Sequence, residues 1–144
     1  EELNKENARI RFAGNISALS EDIQEILLDA EQKTRNNDSM QLVVCLNYGG
    51  RQEILDAVNK MIGDGVSLPV TEDVFRKYLY LPDLPDPDLL IRTSGELRMS
   101  NFWLWQGSYS EFYFTDKFWP DFGKPDLEMA IADYYRRERR YGKA

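Results

Sequence analysis

Residues 40–65 read MQLVVCLNYGGRQEILDAVNKMIGDG, and the apolar pattern changes halfway along them. MQLVVCLNY is a continuous apolar run, the pattern of a strand covered on both faces. Beyond the glycine pair, Ile54, Val58, Met61 and Ile62 recur at helical spacing until a glycine stop. The stretch therefore reads as strand, loop and helix.

The same alternation extends outward in both directions. ARIRFAG (8–14) alternates Ile10 and Phe12 with arginines and reads as a strand closed by Gly14. SEDIQEILLDAEQKTRNN follows as a helix with Ser20 at its N-cap, acids in its first turn, and Ile23, Ile26, Leu27 and Ala30 on one face. TEDVFRKYL is a short capped helix, and the proline-rich LPDLPDPD after it forces an extended connection. LLIRT and EFYFTD are strands, separated by NFWLWQGSY as a short helix or loop. A last helix starts near Pro125, with Leu127, Ala130, Ile131 and Tyr134 as its apolar stripe. Strands alternating with helices mean an α/β fold. The expectation is one domain over residues 1–144, with a mostly parallel sheet and helices on both faces.

Composition narrows the chemistry. A chain of 144 residues is the size of one ordinary domain. The net charge of -7 argues against broad nucleic-acid binding, which needs a basic face. No apolar run approaches the ~18 residues of a spanning helix, so a soluble, cytoplasmic protein is expected. The chain has no histidine, which excludes a histidine base, a Ser-His triad and His-ligated zinc within it. The single Cys45 excludes an internal disulfide and reads as a small buried hydrophobe. Carboxylates, arginines, hydroxyls and backbone amides remain, groups suited to oxyanions and hard cations.

In open α/β sheets ligands bind beyond the carboxyl ends of the strands. Three strands here end in polar loops, at 46–51, 91–98 and 114–122. Asn47 to Arg51 brings two glycines to a helix start, which suits amides approaching an anion, although a Gly-Gly turn is commonly only a turn. IRTSGELRMSNF (91–102) carries Arg92 at a strand end and Arg98 six residues on. They form either a two-armed clamp on a phosphate, with Thr93 or Ser100 adding hydroxyls, or a solvated loop whose arginines pair with Glu96 and nearby aspartates.

LNYGGRQEI, PDLLIRTSGELRMSNFWLWQ and YSEFYFTDKFWPDF, in this order, together with the RERRYG tail, closely resemble the cis-prenyltransferase family, in particular bacterial undecaprenyl diphosphate synthases. The resemblance covers essentially the whole chain. It implies an enzyme that adds isopentenyl diphosphate to farnesyl diphosphate in cis geometry, making the lipid carrier of cell-wall synthesis. It further implies Arg92, Arg98, Met99 and Ser100 as isopentenyl diphosphate contacts, with Asn47, Gly49 and Arg51 as weaker candidates. Glu111 falls on the family's Mg2+-linked glutamate, and Arg140 and Gly142 on a contact made across a homodimer. The membrane would be met only transiently, through the product.

Departures from the family are equally specific. The family's DGNGR-type loop, which grips the allylic diphosphate, has no counterpart in these residues, and the opening EELNKENARIRFAG resembles the family's midpoint. The chain is therefore expected to be a carboxyl-terminal portion, incomplete on its amino-terminal side and inactive alone. Leu97 stands where the family often has a histidine. The aromatics Trp103, Trp105, Phe112, Tyr113, Phe114, Phe118 and Trp119 are expected in core and dimer packing rather than in a prenyl-chain site. Glu111 taken alone reads as a structural partner of an arginine. Two other readings stay open: a non-catalytic partner subunit of a heteromeric prenyltransferase, and a general phosphate-binding α/β module.

Overall fold

The computed structural model describes residues 2–137. It falls into two compact units, Glu1–Asp83 and Leu84–Ala144, each built on one pair of parallel strands.

The first unit runs α1 (Glu2–Lys5), β1 (Ala8–Ala13), α2 (Glu21–Thr34), β2 (Met40–Cys45), α3 (Gly50–Gly63) and α4 (Glu72–Arg76). β1 pairs with β2 in parallel, from Ala8 opposite Met40 to Ala13 opposite Cys45. Helix α2 is the crossover that parallel pairing demands, and it packs back onto β1. Its side chains also serve the edge of β1: Thr34 Oγ1 accepts from the Ile10 amide at 3.1 Å and a Glu31 oxygen from the Phe12 amide at 2.9 Å. Gly14 closes β1 at φ +138, and a Cβ there would stand 1.9 Å from the Leu46 carbonyl oxygen, so only glycine fits.

Helix α3 differs from its expected stripe. Its inward residues are Glu53, Ala57 and Met61, while Val58 is exposed and Ile62 is 73% exposed. The reason is a satisfied carboxylate. Glu53 is only 2% exposed, yet its two oxygens accept the Tyr48 hydroxyl at 2.6 Å and the Tyr80 amide at 3.1 Å. Hydrogen bonds of this kind make a buried charge tolerable where a bare one would not be. Strand β2 also departs from expectation, since Met40 is 56% exposed and only its second half is partly buried. Helix α4 is capped as its sequence predicts, the Thr71 hydroxyl accepting from the Val74 amide at 3.3 Å.

The second unit holds β3 (Leu89–Arg92), β4 (Glu111–Phe114) and α5 (Lys124–Arg136). The strands pair in parallel, Leu89 opposite Glu111 and Arg92 opposite Phe114. Residues 101–109 between them form turns rather than a helix. Helix α5 packs on β4 with Ala130 fully buried, while Leu127 and Ile131 stay exposed. Asp126 anchors its start, accepting from the Gly123 amide at 2.9 Å and from Lys117 Nζ at 2.6 Å. Among the described residues no helix is long and apolar enough to cross a membrane.

Lys117 first, and the Gly123 amide second, hold the Asp126 carboxyl below the ordinary value of 3.8. A lowered folded-state pKa adds stability that is complete above the unfolded value and is lost as pH falls through the folded one. Asp126→Asn is therefore expected to lower the melting temperature at neutral pH and to flatten its decline below about pH 4. Thermal melts of both proteins across the acid range check this, and parallel pH profiles would contradict it.

Candidate functional site

The site in the second unit is built by the turn that follows β3. Its backbone is tied to the end of β4: the Thr115 amide donates to the Arg92 carbonyl at 3.0 Å, the Ser94 amide to Lys117 O at 2.7 Å, and the Gly95 amide to Thr115 O at 2.9 Å. Ser94 and Gly95 take φ values of +72 and +68, which turns the chain back on itself. The turn places Arg98 and Met99 beside the strand residues they followed. A cavity of about 250 Å³ results, lined by Leu90, Ile91, Arg92, Thr93, Arg98, Met99, Phe102 and Phe112. One part of that lining is cationic and hydroxylic, and the remainder is hydrocarbon.

The two arginines are in different states. Arg92 Nε is buried and has no hydrogen-bond partner. A buried guanidinium N–H without an acceptor is rare and invites an anion. Arg98 is exposed and paired with Glu96, as the solvated-loop reading has it. Thr93 and Met99 line the cavity, whereas Ser100 is exposed and does not.

Glu111 is not brought to the cavity. It opens β4 opposite Leu89, three residues before the level of Arg92, which at ~3.3 Å per residue separates them by roughly 10 Å along the pair. Its carboxylate is engaged by Arg137, whose Nη1 donates at 2.8 Å while its Nε and Nη2 donate to Asp133. Glu111 first, then Asp133, raise the Arg137 pKa. Magnesium bound to proteins takes carboxylates together with substrate phosphates. Among the described residues no three His, Cys, Asp or Glu side chains gather to hold a metal. Among the described residues, one carboxylate already paired with a guanidinium does not make a magnesium site. Arg140 and Gly142 lie outside the described residues.

In the first unit the end of β2 makes a second, polar depression lined by Asn15, Asn47, Tyr48, Gly49 and Gln52. Asn47 has φ +46, and its Nδ2 donates to the Asn15 carbonyl at 3.0 Å, joining the loops that end β1 and β2. Gly49 is the N-cap of α3, and Arg51 in the first turn is exposed and absent from the lining. Sequence reasoning missed Glu53, which ties Tyr48 to Tyr80 beneath this loop. Its only signal is the i, i+4, i+8 spacing with Ala57 and Met61. It also missed Leu90 and Phe102 as cavity wall, since they read as ordinary strand and turn hydrophobes. Of the aromatics, Trp103, Trp105, Phe112 and Tyr113 are partly buried, while Phe114, Phe118 and Trp119 are exposed.

The family described as "Putative undecaprenyl diphosphate synthase" matches residues 1–142. The isoprenyl transferase of Thermotoga maritima is 52% identical over 143 residues, covering 97% of this chain and 61% of that protein. A ditrans,polycis-undecaprenyl-diphosphate synthase of Vibrio vulnificus, named as specific for (2E,6E)-farnesyl diphosphate, is 47% identical over 145 residues, covering 97% of this chain and 58% of that protein. The crystal structure of a "probable undecaprenyl diphosphate synthase" from Campylobacter jejuni superposes with a TM-score of 0.89 at 34% identity, over 99% of this chain and 66% of that one. The chain belongs to the undecaprenyl diphosphate synthase family of prenyltransferases. It spans about three-fifths of the length of these curated relatives.

The Arg98–Glu96 pair competes with any anion for the same guanidinium. Glu96→Gln is expected to tighten binding of inorganic diphosphate by roughly two- to fivefold, the scale of an exposed ion pair. Isothermal titration at low salt measures it, and weaker binding in the variant would show that Glu96 organises the loop instead.

Proposed function

We propose that this chain carries the isopentenyl diphosphate half of a cis-prenyltransferase site, in a parent protein that elongates farnesyl diphosphate to undecaprenyl diphosphate for the cell-wall lipid carrier. The observation that supports it most is the divided cavity: Arg92, with its unpartnered buried Nε, and Arg98 stand over a hydrocarbon wall of Leu90, Met99, Phe102 and Phe112. A diphosphate ester of a short branched alkene has the same two halves. The farnesyl part of the reading follows the specificity named for the Vibrio relative.

The chemistry assigned to these residues is positioning. Arg92 and Arg98 hold the diphosphate as paired cations, Thr93 offers a hydroxyl, and the apolar wall orients the alkene toward the incoming allylic carbon. Ser100, Asn47, Gly49 and Arg51 remain candidates for contacts beyond the cavity lining. Magnesium, held in part by Glu111, would neutralise the leaving diphosphate in the parent protein. The described residues do not by themselves assemble its site. A homodimer, contacts by Arg140 and Gly142, and the union of both units in one α/β domain belong to the same reading. A non-catalytic partner subunit is less favoured, since the arginine pair would then have no purpose.

Arg92→Ala should weaken isopentenyl diphosphate binding to the 144-residue chain by about ten- to a hundredfold, as expected for a charge-assisted pair. Equilibrium binding with labelled ligand tests it, and equal affinity of variant and wild type would remove the clamp from this cavity.

The 144 residues contain no counterpart of the DGNGR-type allylic loop, so the chain alone is expected to bind without elongating. Losing the grip on one of two reactants removes many orders of magnitude from a positioning-dependent rate. Incorporation of labelled isopentenyl diphosphate onto farnesyl diphosphate is the assay. Robust elongation by the pure chain would show that loop to be dispensable.

A further inference from the structure

Strand β1 alternates two arginines with Ile10 and Phe12, and the proposed function uses neither arginine. Arg9 and Arg11 are two residues apart, so their side chains leave the same face of the strand. Helix α2 returns alongside β1 and ends at Arg35, its C-cap. A concavity of about 370 Å³ forms there, with Arg9, Arg11, Phe12, Glu31, Arg35 and Leu81 in its lining. Three arginines thus line one depression in a chain whose net charge is -7.

The acids around it are already engaged. A Glu31 oxygen accepts from the Phe12 amide at 2.9 Å and so serves the strand edge. Asp83 accepts the Arg11 fork, from Nη1 at 2.6 Å and from Nη2 at 2.9 Å. Arg11 holds the Asp83 carboxyl below its ordinary value of 3.8, and Arg9 adds a weaker pull without a hydrogen bond. The side chains of Arg9, half-buried, and Arg35, exposed, have no hydrogen-bond or ion-pair partner among the described residues. A carboxylate has two oxygens, and Arg11 takes both of those on Asp83. An acceptor that meets Arg9 and Arg35 as well needs three or more diverging oxygens, which a phosphate has and a carboxylate lacks. The Asp83 side chain is 62% exposed against 14% for Arg11, so the carboxylate is free to turn to solvent and leave the guanidinium in place.

We propose that this concavity is an anion site of the first unit, additional to the cavity of the second, and that it takes a phosphate group among Arg9, Arg11 and Arg35 in place of the Asp83 carboxylate. The ligand class is a phosphate monoester or inorganic phosphate, either free or carried as a lipid headgroup. Guanidinium forks suit such groups because each arm donates to a separate oxygen. The inference goes beyond the proposed function and does not depend on it, since the two sites share no residue.

The test uses the 144-residue chain with 15N-labelled arginine, whose side-chain resonances report each guanidinium separately. Inorganic phosphate is the first probe. In the wild type the Arg9 and Arg35 resonances should follow one saturable curve, and sodium chloride at matched ionic strength should not reproduce it. Resonances that stay fixed, or a curve that chloride reproduces, overturn the inference without any variant being needed. Arg9→Gln and Arg35→Gln should each weaken phosphate about tenfold, the scale of a charge-assisted hydrogen bond. Asp83→Asn should tighten it by about two- to fivefold, the scale of an exposed ion pair. Phosphate affinity equal to wild type in both arginine variants overturns the inference, as does weaker binding in Asp83→Asn. Phosphatidylcholine vesicles with and without phosphatidic acid separate the two sources: a stronger response to phosphatidic acid than to free phosphate assigns the site to a headgroup, and the reverse assigns it to a soluble ligand. The Arg92 and Arg98 resonances of the same sample report the other cavity, so the proposed function stands or falls separately.

Discussion

Parallel strand pairing is the constraint on which the rest of this molecule depends. Two parallel strands emerge at the same edge, so the turns that leave them are neighbours by construction. In the second unit this is why the turn after Arg92 can be tied to Thr115 and Lys117, and why that turn can fold Arg98 and Met99 back against β3. The same geometry places Asn15 beside Asn47 in the first unit. It also separates what it does not join. Glu111 starts the strand whose partner ends at Arg92, so the two charges stand at opposite ends of one short ladder.

Polar groups inside each unit are handled by specific partners rather than by solvent. Glu53 is buried because the Tyr48 hydroxyl and the Tyr80 amide meet its oxygens, and Asp126 because Lys117 and the Gly123 amide meet its own. Thr34 and Glu31 supply acceptors to the edge of β1 that a further strand would otherwise supply. Against that background, the buried Nε of Arg92 has no hydrogen-bond partner. Arg98 lines the same cavity but has Glu96, and Arg137 has Glu111 and Asp133, so of these three arginines Arg92 is the one with a buried guanidinium N–H lacking a partner.

Large apolar side chains remain exposed in both units, including Ile26 on α2, Ile62 on α3, Met40 on β2 and Trp119 beyond β4. Scattered exposed hydrophobes are ordinary, but side chains this large at helical and strand spacing are the kind that proteins cover. The chain spans only about three-fifths of the length of its curated relatives.

The α/β class, the four strands, the cap at Thr71 and the start of α5 near Pro125 were legible in the sequence, because period, capping chemistry and proline geometry act over a few residues. The motif RTSGELR likewise pointed to Arg92 and Arg98 before any geometry was known. Which face of α3 turns inward was not legible, since Ile54, Val58 and Ile62 out-rank a glutamate on hydrophobicity alone. Only the tertiary approach of Tyr48 and Tyr80 makes Glu53 the buried residue. The exclusion of Ser100 from the cavity, the pairing of Arg98 with Glu96, and the capture of Glu111 by a residue 26 positions away were decided by the folded chain as well. Local chemistry sets what an element is, whereas the partner of a charge depends on which distant backbone the strands bring beside it.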